Sequence, residues 1–231
     1  GNKKMRKVLV IGSNGLVGKG VSNFFENTKD VELTKIDFGE NFDLRNKQSI
    51  KTYLKSKSDI EYIVNCSGIN DHVDENDSLD STKTDLDNID LFFDINVKSV
   101  CCIIEYGKEN LNNLKGVINF ASLYGIRSPF HPIYDKPKSL SYTISKHALE
   151  GITKYYAALY GKNNITINAV RIGGIEANQS KKFKEWFTSR TPLGRMADLK
   201  DLYGTINLLC SEDGSYITGQ SITVDGGYTS W

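Results

Sequence analysis

Cysteine, proline and histidine are scarce in this chain of 231 residues, with four, four and three copies respectively. The cysteines show no spacing typical of metal ligands, and the adjacent Cys101 and Cys102 would rarely pair with each other. All four, including Cys66 and Cys210, lie in apolar runs, which predicts buried, inert thiols and no metal site. Such cysteine usage is typical of a reducing compartment, so we expect a cytoplasmic protein.

Neither sign of charge dominates, and long apolar runs are absent. The chain has 29 basic and 28 acidic residues, a net charge of +1, which predicts no nucleic-acid partner. No stretch reaches the roughly 18 apolar residues that a membrane span needs, so we expect no membrane partner. The basic start at 1–7 is followed by too few apolar residues for a signal peptide. Because no linker or repeat divides the sequence, it predicts one domain over 1–231.

Short apolar runs alternate with segments of helical periodicity along the whole chain. The runs that predict strands lie at 7–11, 31–36, 62–66, 116–121, 165–170 and 221–224. The helical patterns lie at 15–27, 47–57, 88–112, 141–161, 177–189 and 199–210. This alternation predicts an α/β protein with a doubly wound parallel sheet and helices on both faces, in three α/β/α layers.

Two polar stretches interrupt this rhythm. Residues 70–87 carry seven acidic side chains and predict a solvated surface loop. Residues 124–140 hold three of the four prolines between a predicted strand and a predicted helix. A loop of that length in a compact domain is usually functional, so we expect an inserted loop over the active site.

A glycine-rich turn directly follows the first predicted strand. Its sequence is Gly12-Ser13-Asn14-Gly15-Leu16-Val17-Gly18. The first glycine permits a tight turn, the second lets the backbone approach a pyrophosphate, and the third permits close packing of helix on strand. Free N–H groups and the helix dipole favour phosphate charge at this place. The turn therefore predicts a Rossmann-like dinucleotide site.

Asp37 strengthens this interpretation, because it ends the second predicted strand 19 residues after Gly18. A carboxylate there can accept hydrogen bonds from the ribose hydroxyls of NAD, and it would repel the 2′-phosphate of NADP. Neither Asn14 nor Phe38 supplies a cation for such a phosphate. We therefore expect NAD as the cofactor, with NADP disfavoured.

Four polar residues suggest proton transfer next to this site. Tyr142 and Lys146 are four residues apart on a predicted helix, so they share one face, and a nearby ammonium favours the phenolate. Ser122 follows a buried strand, at the edge where parallel sheets bind ligands. Asn96 is a polar residue in an otherwise apolar helical stretch. We expect the ammonium to lower the pKa of Tyr142 towards the working pH, as a general acid or base requires.

Together these motifs resemble the short-chain dehydrogenase/reductase family, in its compact single-domain form. The resemblance places Asn96, Ser122, Tyr142 and Lys146 in the catalytic tetrad. Beyond the glycine turn and Asp37, it extends the expected cofactor set to Asp43 and Leu44 on the adenine side, to Asn65, Cys66, Ser67 and Gly68 at a strand end, and to Gly173, Gly174 and Ile175 near the nicotinamide.

The resemblance also implies a role for each member of the tetrad. Tyr142 would exchange a proton with the substrate oxygen, and Ser122 would hydrogen-bond that oxygen. Lys146 would hold the nicotinamide ribose and lower the pKa of Tyr142. Asn96 would anchor a water in a proton relay. Family members usually form homodimers or homotetramers through the helices that correspond to 88–112 and 141–161, so we expect the same here.

Two departures from the family pattern concern the sheet and the substrate. Only five residues lie between Asp37 and Asp43, which predicts an abbreviated crossover. The 19 residues between Ser122 and Tyr142 are more than is usual in the family. This insertion carries Tyr124, Arg127, Phe130, His131 and Tyr134, and its composition would suit a phosphorylated or amino sugar as well as a structural cover or an oligomer contact.

Three functions follow from the sequence. With Arg171 and the segments 175–179 and 192–198, the insertion resembles oxidoreductases of bacterial surface-sugar pathways, closest in type to flagellin-modification enzymes linked to legionaminic-acid-like sugars. The first expectation is therefore an NAD-dependent oxidoreductase acting on a sugar derivative. The alternatives are a 3-oxoacyl-(acyl-carrier-protein) reductase, which usually prefers NADP, and a non-catalytic protein that senses NAD.

Overall fold

A six-stranded sheet, parallel throughout, forms the centre of the molecule. The computed structural model describes residues 5–39, 41–70, 86–134 and 137–231. The strands are β1 Arg6–Ile11, β2 Val31–Ile36, β3 Tyr62–Asn65, β4 Gly116–Ser122, β5 Thr166–Ile172 and β6 Ser221–Val224. Their order across the sheet is β2-β1-β3-β4-β5-β6. The six predicted strands are confirmed, and their ends shift by one or two residues at most.

Helices cover both faces of the sheet. They are α1 Leu16–Glu26, α2 Lys47–Lys55, α3 Ile89–Phe93, α4 Ser99–Asn110, α5 Leu140–Tyr160, α6 Lys181–Ser189 and α7 Tyr203–Leu209. Buried side chains of α2, α4 and α5 form one core with the sheet, and those of α1 and α7 form the other. Along β1, Leu9 and Ile11 face the first core and Val8 and Val10 face the second. The predicted three-layer, doubly wound, Rossmann-like architecture is confirmed.

Several predicted helices differ from the observed ones. The helix expected over 88–112 is interrupted, because a π-helical turn at Asp94–Lys98 separates α3 from α4. The helix expected over 177–189 begins only at α6, where Ser180 accepts the N–H of Phe183 as the N-cap. The helix expected over 199–210 opens as a 3-10 turn at Leu199–Leu202 before α7. Among the described residues, no helix is long and apolar enough to cross a membrane.

The connection between β2 and α2 is abbreviated, as the sequence predicts. In its described part it holds one antiparallel bridge, between Gly39 and Phe42. Because no further strand is added there, β2 is the edge of the sheet. Most of the acidic stretch predicted as a surface loop, residues 71–85, lies outside the described residues, as do 135 and 136 of the insertion.

Candidate active site

The strand order reverses at β1, whose neighbours are β2 and β3, so a crevice opens beyond the carboxyl ends of β1 and β3. The glycine turn lies in this crevice, and a different constraint accounts for glycine at each of its three glycine positions. Gly12 has a φ of +77°, and a Cβ there would lie 2.7 Å from the backbone nitrogen of Ser67. A Cβ on Gly18 would lie 1.9 Å from the Gly12 carbonyl oxygen. The first and third glycines are therefore required by packing.

Gly15 differs, because a Cβ there would meet only the Gly12 oxygen, at 3.6 Å. This glycine faces the crevice and is the N-cap residue of α1. In the described part of the chain, no side chain caps α1, so its first N–H groups stay available to an anion. The turn fits the pyrophosphate of a dinucleotide. Ser13, Asn14, Leu16 and Val17 complete the turn and the first helical residues.

A cavity of about 350 Å³ continues from this turn. Of the predicted cofactor residues, it is lined by Gly12, Gly15, Asp37, Asp43, Leu44, Cys66, Ser67 and Gly68. Sequence reasoning did not single out the remaining lining residues as cofactor contacts, namely Ile11, Phe38, Phe42, Arg45, Ile69 and Ile95. Most of these are apolar neighbours of predicted positions, and proximity along the chain was the one signal available for them.

The carboxylate of Asp37 is held at the rim of this cavity by the backbone. One oxygen accepts the N–H of Asn14 at 2.5 Å, and the other accepts the N–H of Phe38 at 2.7 Å. These bonds join the end of β2 to the glycine turn. They also fix the carboxylate beside the place where a ribose would lie.

Arg45 is the cation that the sequence did not lead us to expect in this cavity. Its guanidinium donates two hydrogen bonds to the carboxylate of Asp43, both of 3.2 Å, and lies 5.7 Å from the ring centre of Phe38. The hydrogen bonds from Arg45 hold the pKa of Asp43 below its usual value. The cavity is thus lined by the Arg45 guanidinium, which is paired with Asp43 and lies over the Phe38 ring.

The strand end of β3 is organised by Asn65. Its side chain donates to the Asn119 side-chain oxygen at 3.1 Å and accepts the N–H of Ser67 at 3.1 Å. These contacts turn the chain at the crevice floor. The neighbouring Cys66 is a free thiol whose pKa is raised by burial, consistent with the inert role expected for it.

Tyr142, Lys146 and Ser122 are brought together at the carboxyl edge of the sheet. Tyr142 and Lys146 lie one turn apart on α5, which starts here because Ser139 accepts the N–H of Tyr142 at 3.0 Å. Ser122 ends β4, its hydroxyl accepts the N–H of Tyr124 at 3.2 Å, and its side chain favours the ionised form of Tyr142. The Lys146 ammonium lies 5.6 Å from the Tyr142 ring centre and donates to the Phe120 carbonyl at 2.9 Å.

Burial dominates the pKa values of this pair. It raises the pKa of Tyr142, and the polar side chain of Ser122 offsets part of that rise. Burial also lowers the pKa of Lys146 to about 8. The expectation that Lys146 brings the pKa of Tyr142 below its usual value is therefore wrong for this structure. The physical reason is that the ammonium is directed at the Phe120 carbonyl, and desolvation outweighs its field.

Asn96 lies in the π-helical turn, 2% exposed, and joins three parts of the site. Its side-chain oxygen accepts the N–H of Ile69 at 2.8 Å, and its amide donates to the Ile69 carbonyl at 2.9 Å. The amide also donates to the Ser145 hydroxyl at 3.0 Å. A Cβ on Gly68 would meet the Asn96 oxygen at 3.2 Å and the Lys146 nitrogen at 4.0 Å, so Asn96 and Lys146 both lie beside Gly68, which lines the cavity that continues from the glycine turn.

Gly173, Gly174 and Ile175 are not brought to that cavity. A Cβ on Gly173 would lie 2.9 Å from the Asp225 Cα, and one on Gly174 would lie 2.8 Å from the Phe187 ring. Both glycines line a second cavity, of about 210 Å³, between the ends of β5 and β6 and the segment before α7. Ile175 is buried and pairs with Ala197. Close packing explains these glycines here, and their assignment to the cofactor stays a prediction.

The insertion is seated on α6 and on the last residues of the chain. The rings of Phe130 and Trp186 stack at 5.2 Å, Tyr134 packs against Phe183 at 5.6 Å, and the Tyr124 and Tyr134 hydroxyls bond each other. Arg127 donates to the backbone oxygens of Thr229 and Trp231 at 3.0 and 2.7 Å.

These contacts correct part of the substrate interpretation. Arg127 and Phe130 are used within the protein, and His131 is exposed. Arg171 forms a two-bond ion pair with Glu150, at 3.1 and 2.9 Å, instead of facing the site. Tyr124 and Tyr134 use their hydroxyls to bond each other. Among the described residues, no cluster of His, Cys, Asp and Glu could hold a metal ion.

A doubly wound parallel sheet, a glycine turn at its crevice and a Ser–Tyr–Lys group at its carboxyl edge define a dehydrogenase or reductase of the Rossmann type. A family model described as Enoyl-(Acyl carrier protein) reductase matches residues 29–229. The chain belongs to the short-chain dehydrogenase/reductase family and is an oxidoreductase of that family.

Known relatives cover most of the chain. The 3-oxoacyl-(acyl-carrier-protein) reductase of Rickettsia felis is 28% identical over 226 residues, which are 95% of this chain and 85% of that protein. The 2-dehydro-3-deoxy-D-gluconate 5-dehydrogenase of Escherichia coli is 29% identical over 182 residues, 73% of this chain and 65% of that protein. A short chain dehydrogenase of Leptospira borgpetersenii with bound NAD+ has a TM-score of 0.80 and 25% identity, with 98% of this chain and 93% of that chain covered.

Proposed function

We propose that this protein transfers a hydride between NAD and a secondary alcohol or ketone. The observation that carries the proposal is the grouping of Ser122, at the end of β4, with Tyr142 and Lys146, one helical turn apart on α5, where the Lys146 ammonium lies 5.6 Å from the Tyr142 ring centre. A substrate oxygen inserted between the Ser122 and Tyr142 hydroxyls would meet two donors at the point where charge develops. A protein that only senses a dinucleotide has no need of this pair, which disfavours the non-catalytic alternative.

The residues of the tetrad divide the work. A bound nicotinamide supplies or accepts the hydride. Tyr142 exchanges a proton with the substrate oxygen, and Ser122 hydrogen-bonds the same oxygen. Lys146 holds the nicotinamide ribose. Asn96, which bonds the Ile69 carbonyl at 2.9 Å, would anchor a water that relays the proton to solvent.

NAD is the proposed cofactor because of the charge at the cavity rim. The Asp37 carboxylate can accept hydrogen bonds from ribose hydroxyls, whereas a 2′-phosphate would lie against its negative charge. Arg45 lies in the same cavity, but its guanidinium is already bonded twice to Asp43. The bound NAD+ of the Leptospira relative supports this choice, and NADP is the less favoured cofactor.

The proposed substrate is a sugar or phosphorylated amino sugar of bacterial surface-glycan biosynthesis. The paired hydroxyls of Tyr124 and Tyr134 offer polar contacts within an insertion that we propose covers the site. The E. coli relative named for a sugar-acid substrate is consistent with this class. The runner-up is reduction of 3-oxoacyl thioesters, which the Rickettsia relative favours.

A substrate screen separates these two functions. Phosphorylated amino and neutral hexoses would be offered with NAD, and acetoacetyl thioesters with NADH or NADPH, while absorbance at 340 nm is followed. We expect turnover with a hexose derivative and none with Tyr142→Phe under the same conditions. Turnover of thioesters alone, with NADPH preferred over NADH, would establish the runner-up instead.

We further propose that the protein forms a homodimer or homotetramer through α4 and α5. Leu91, Tyr155 and Leu159 are exposed, at 42%, 64% and 49%, on the surface near these helices. Sedimentation velocity would show a species of twice or four times the 25.8 kDa chain mass, and a monomer at micromolar concentration would contradict it.

The unpaired state of the four cysteines agrees with the proposed cytoplasmic location.

A further inference from the structure

Lys138 lies at the end of the insertion and reaches the catalytic tyrosine. Its ammonium is 5.0 Å from the ring centre of Tyr142, closer than the 5.6 Å that separates the Lys146 ammonium from the same ring. Lys138 immediately precedes Ser139, the buried N-cap residue of α5. The backbone therefore delivers the Lys138 side chain to Tyr142 at the point where the helix starts.

The Lys138 ammonium is fixed in place by the loop after β3. It donates to the side-chain oxygen of Asn70 at 2.6 Å, and the Lys138 N–H donates to the His131 ring at 3.2 Å. Asn70 directly follows Ile69, whose backbone is bonded on both sides by Asn96. The Lys138 ammonium is thus bonded to the same loop that Asn96 bonds, whereas a solvent-exposed lysine has no fixed position.

We propose that Lys138 is a positioning residue that holds the Tyr142 ring and favours its ionised form. A positive charge about 5 Å from a phenol stabilises the phenolate by Coulomb attraction, and a partly dry site strengthens this attraction. The proposal rests on the proposed function for its catalytic meaning. It also gives the insertion a purpose, because the insertion is the segment that carries this cation to the site.

In the part of the chain that the structure describes, the other groups with contacts to Tyr142 are uncharged. Ser122 on β4 is a neutral side chain that favours the ionised form of Tyr142, and Phe92 on α3 makes an edge contact with the Tyr142 ring at 6.5 Å between ring centres. Tyr124 and Tyr134 stay neutral, because burial raises the pKa of both. Among the described residues with these contacts, Lys138 and Lys146 are the cations that face the ring.

The test is the titration of Tyr142 itself. Protein labelled with ¹³Cζ-tyrosine would be titrated by NMR, with the Tyr142 signal assigned by its loss in Tyr142→Phe. We expect Lys138→Met to raise the pKa of Tyr142 by about one unit and Lys138→Arg to leave it nearly unchanged. Lys154→Met, which removes an exposed lysine from the same helix, is the matched control and should not move it.

The outcomes are distinct from those that test the proposed function. An unchanged Tyr142 pKa in folded Lys138→Met overturns the proposal, as does a failure of Tyr142 to ionise in wild type before the fold is lost at high pH. Ionisation in wild type at a pH where folded Lys138→Met remains neutral supports it. These measurements use neither dinucleotide nor substrate. Absence of turnover in the substrate screen would therefore contradict the proposed function without affecting the result for Lys138.

Discussion

Asn96 and Ile69 are joined by two hydrogen bonds of opposite direction, 2.8 Å from the Ile69 N–H and 2.9 Å to its carbonyl. The pair fastens the π-helical turn between α3 and α4 to the loop that follows β3. A regular α-helix would advance the chain differently at this place, so the turn and the amide bonds are two parts of one arrangement. This arrangement places one residue of the tetrad within reach of α5.

Replacing Asn96 with alanine should be costly for stability. Asn96→Ala removes the two bonds to Ile69 and the bond to Ser145, and leaves buried polar groups without partners. We expect the free energy of unfolding to fall by about 3 kcal/mol, measured by urea denaturation. Asn113→Ala, at an exposed position, is the control and should change it by less than about 0.5 kcal/mol. A loss below about 1 kcal/mol for Asn96→Ala would contradict this account.

Asp37→Asn should change the cofactor preference. Removing the charge weakens the bonds to ribose hydroxyls, so NADH affinity should fall about tenfold in a fluorescence titration, while NADPH affinity rises. The gain for NADPH should persist in Asp37→Asn/Arg45→Ala, because it comes from the loss of the Asp37 charge and the Arg45 guanidinium is already bonded to Asp43. Asp213→Asn, at a distant exposed position, should have no effect. Tighter binding of NADPH than NADH by the unmodified protein would refute the role of Asp37.

Tyr142→Phe separates chemistry from binding. The phenol is the proposed proton donor and acceptor, so kcat should fall by about 10²- to 10⁴-fold. The Kd for NADH should stay within about twofold of the wild-type value. Tyr155→Phe removes a hydroxyl from the same helix at a residue that is 64% exposed, and should retain full activity. Substantial activity in Tyr142→Phe would remove this residue from the acid–base role.

Lys146 should make stability depend on pH in a defined window. Its pKa is about 8 in the folded protein and about 10.4 in an unfolded chain, so the unfolded state binds more protons between these values. Burial of the charged Lys146 lowers the free energy of unfolding by about 3 kcal/mol below pH 8. This destabilisation is lost progressively as the pH rises from about 8 to about 10.4.

The measurement is the difference in free energy of unfolding between wild type and Lys146→Met, followed from pH 7 to pH 10. This difference should shift in favour of the wild type as the pH rises above 8, since the variant has no proton to lose. Groups common to both proteins cancel in the subtraction. A difference that stays flat across this window would mean that Lys146 is not desolvated as the structure indicates.

Local pattern was sufficient for much of the fold. The six strands follow from short β-branched runs, because a strand buried on both faces must be apolar along its length. The glycine turn and the Tyr142–Lys146 pair could also be predicted, since both depend on neighbours within seven residues. Ser122 could be predicted because it directly follows a recognisable buried strand.

The pKa of Tyr142 could not be obtained in this way. Spacing alone suggested that Lys146 lowers it, whereas burial by several elements raises it. The same limit applies to the π-helical turn, whose bonds join Asn96 to residues 27 and 49 positions away. Helical periodicity reflects only residues close in sequence, so it does not predict hydrogen bonds to distant ones.

The sequence by itself determined the order of strands and helices, the glycine turn after β1 and the positions of Ser122, Tyr142 and Lys146 at the ends of their elements, because each depends on short-range geometry. Only the tertiary structure decided that Arg45 lines the cavity beside this turn, that Gly173 and Gly174 pack elsewhere, and that Lys138 meets Asn70 across 68 residues. The physical reason is that contacts between distant segments depend on how whole helices and strands pack together, which the local sequence pattern does not predict.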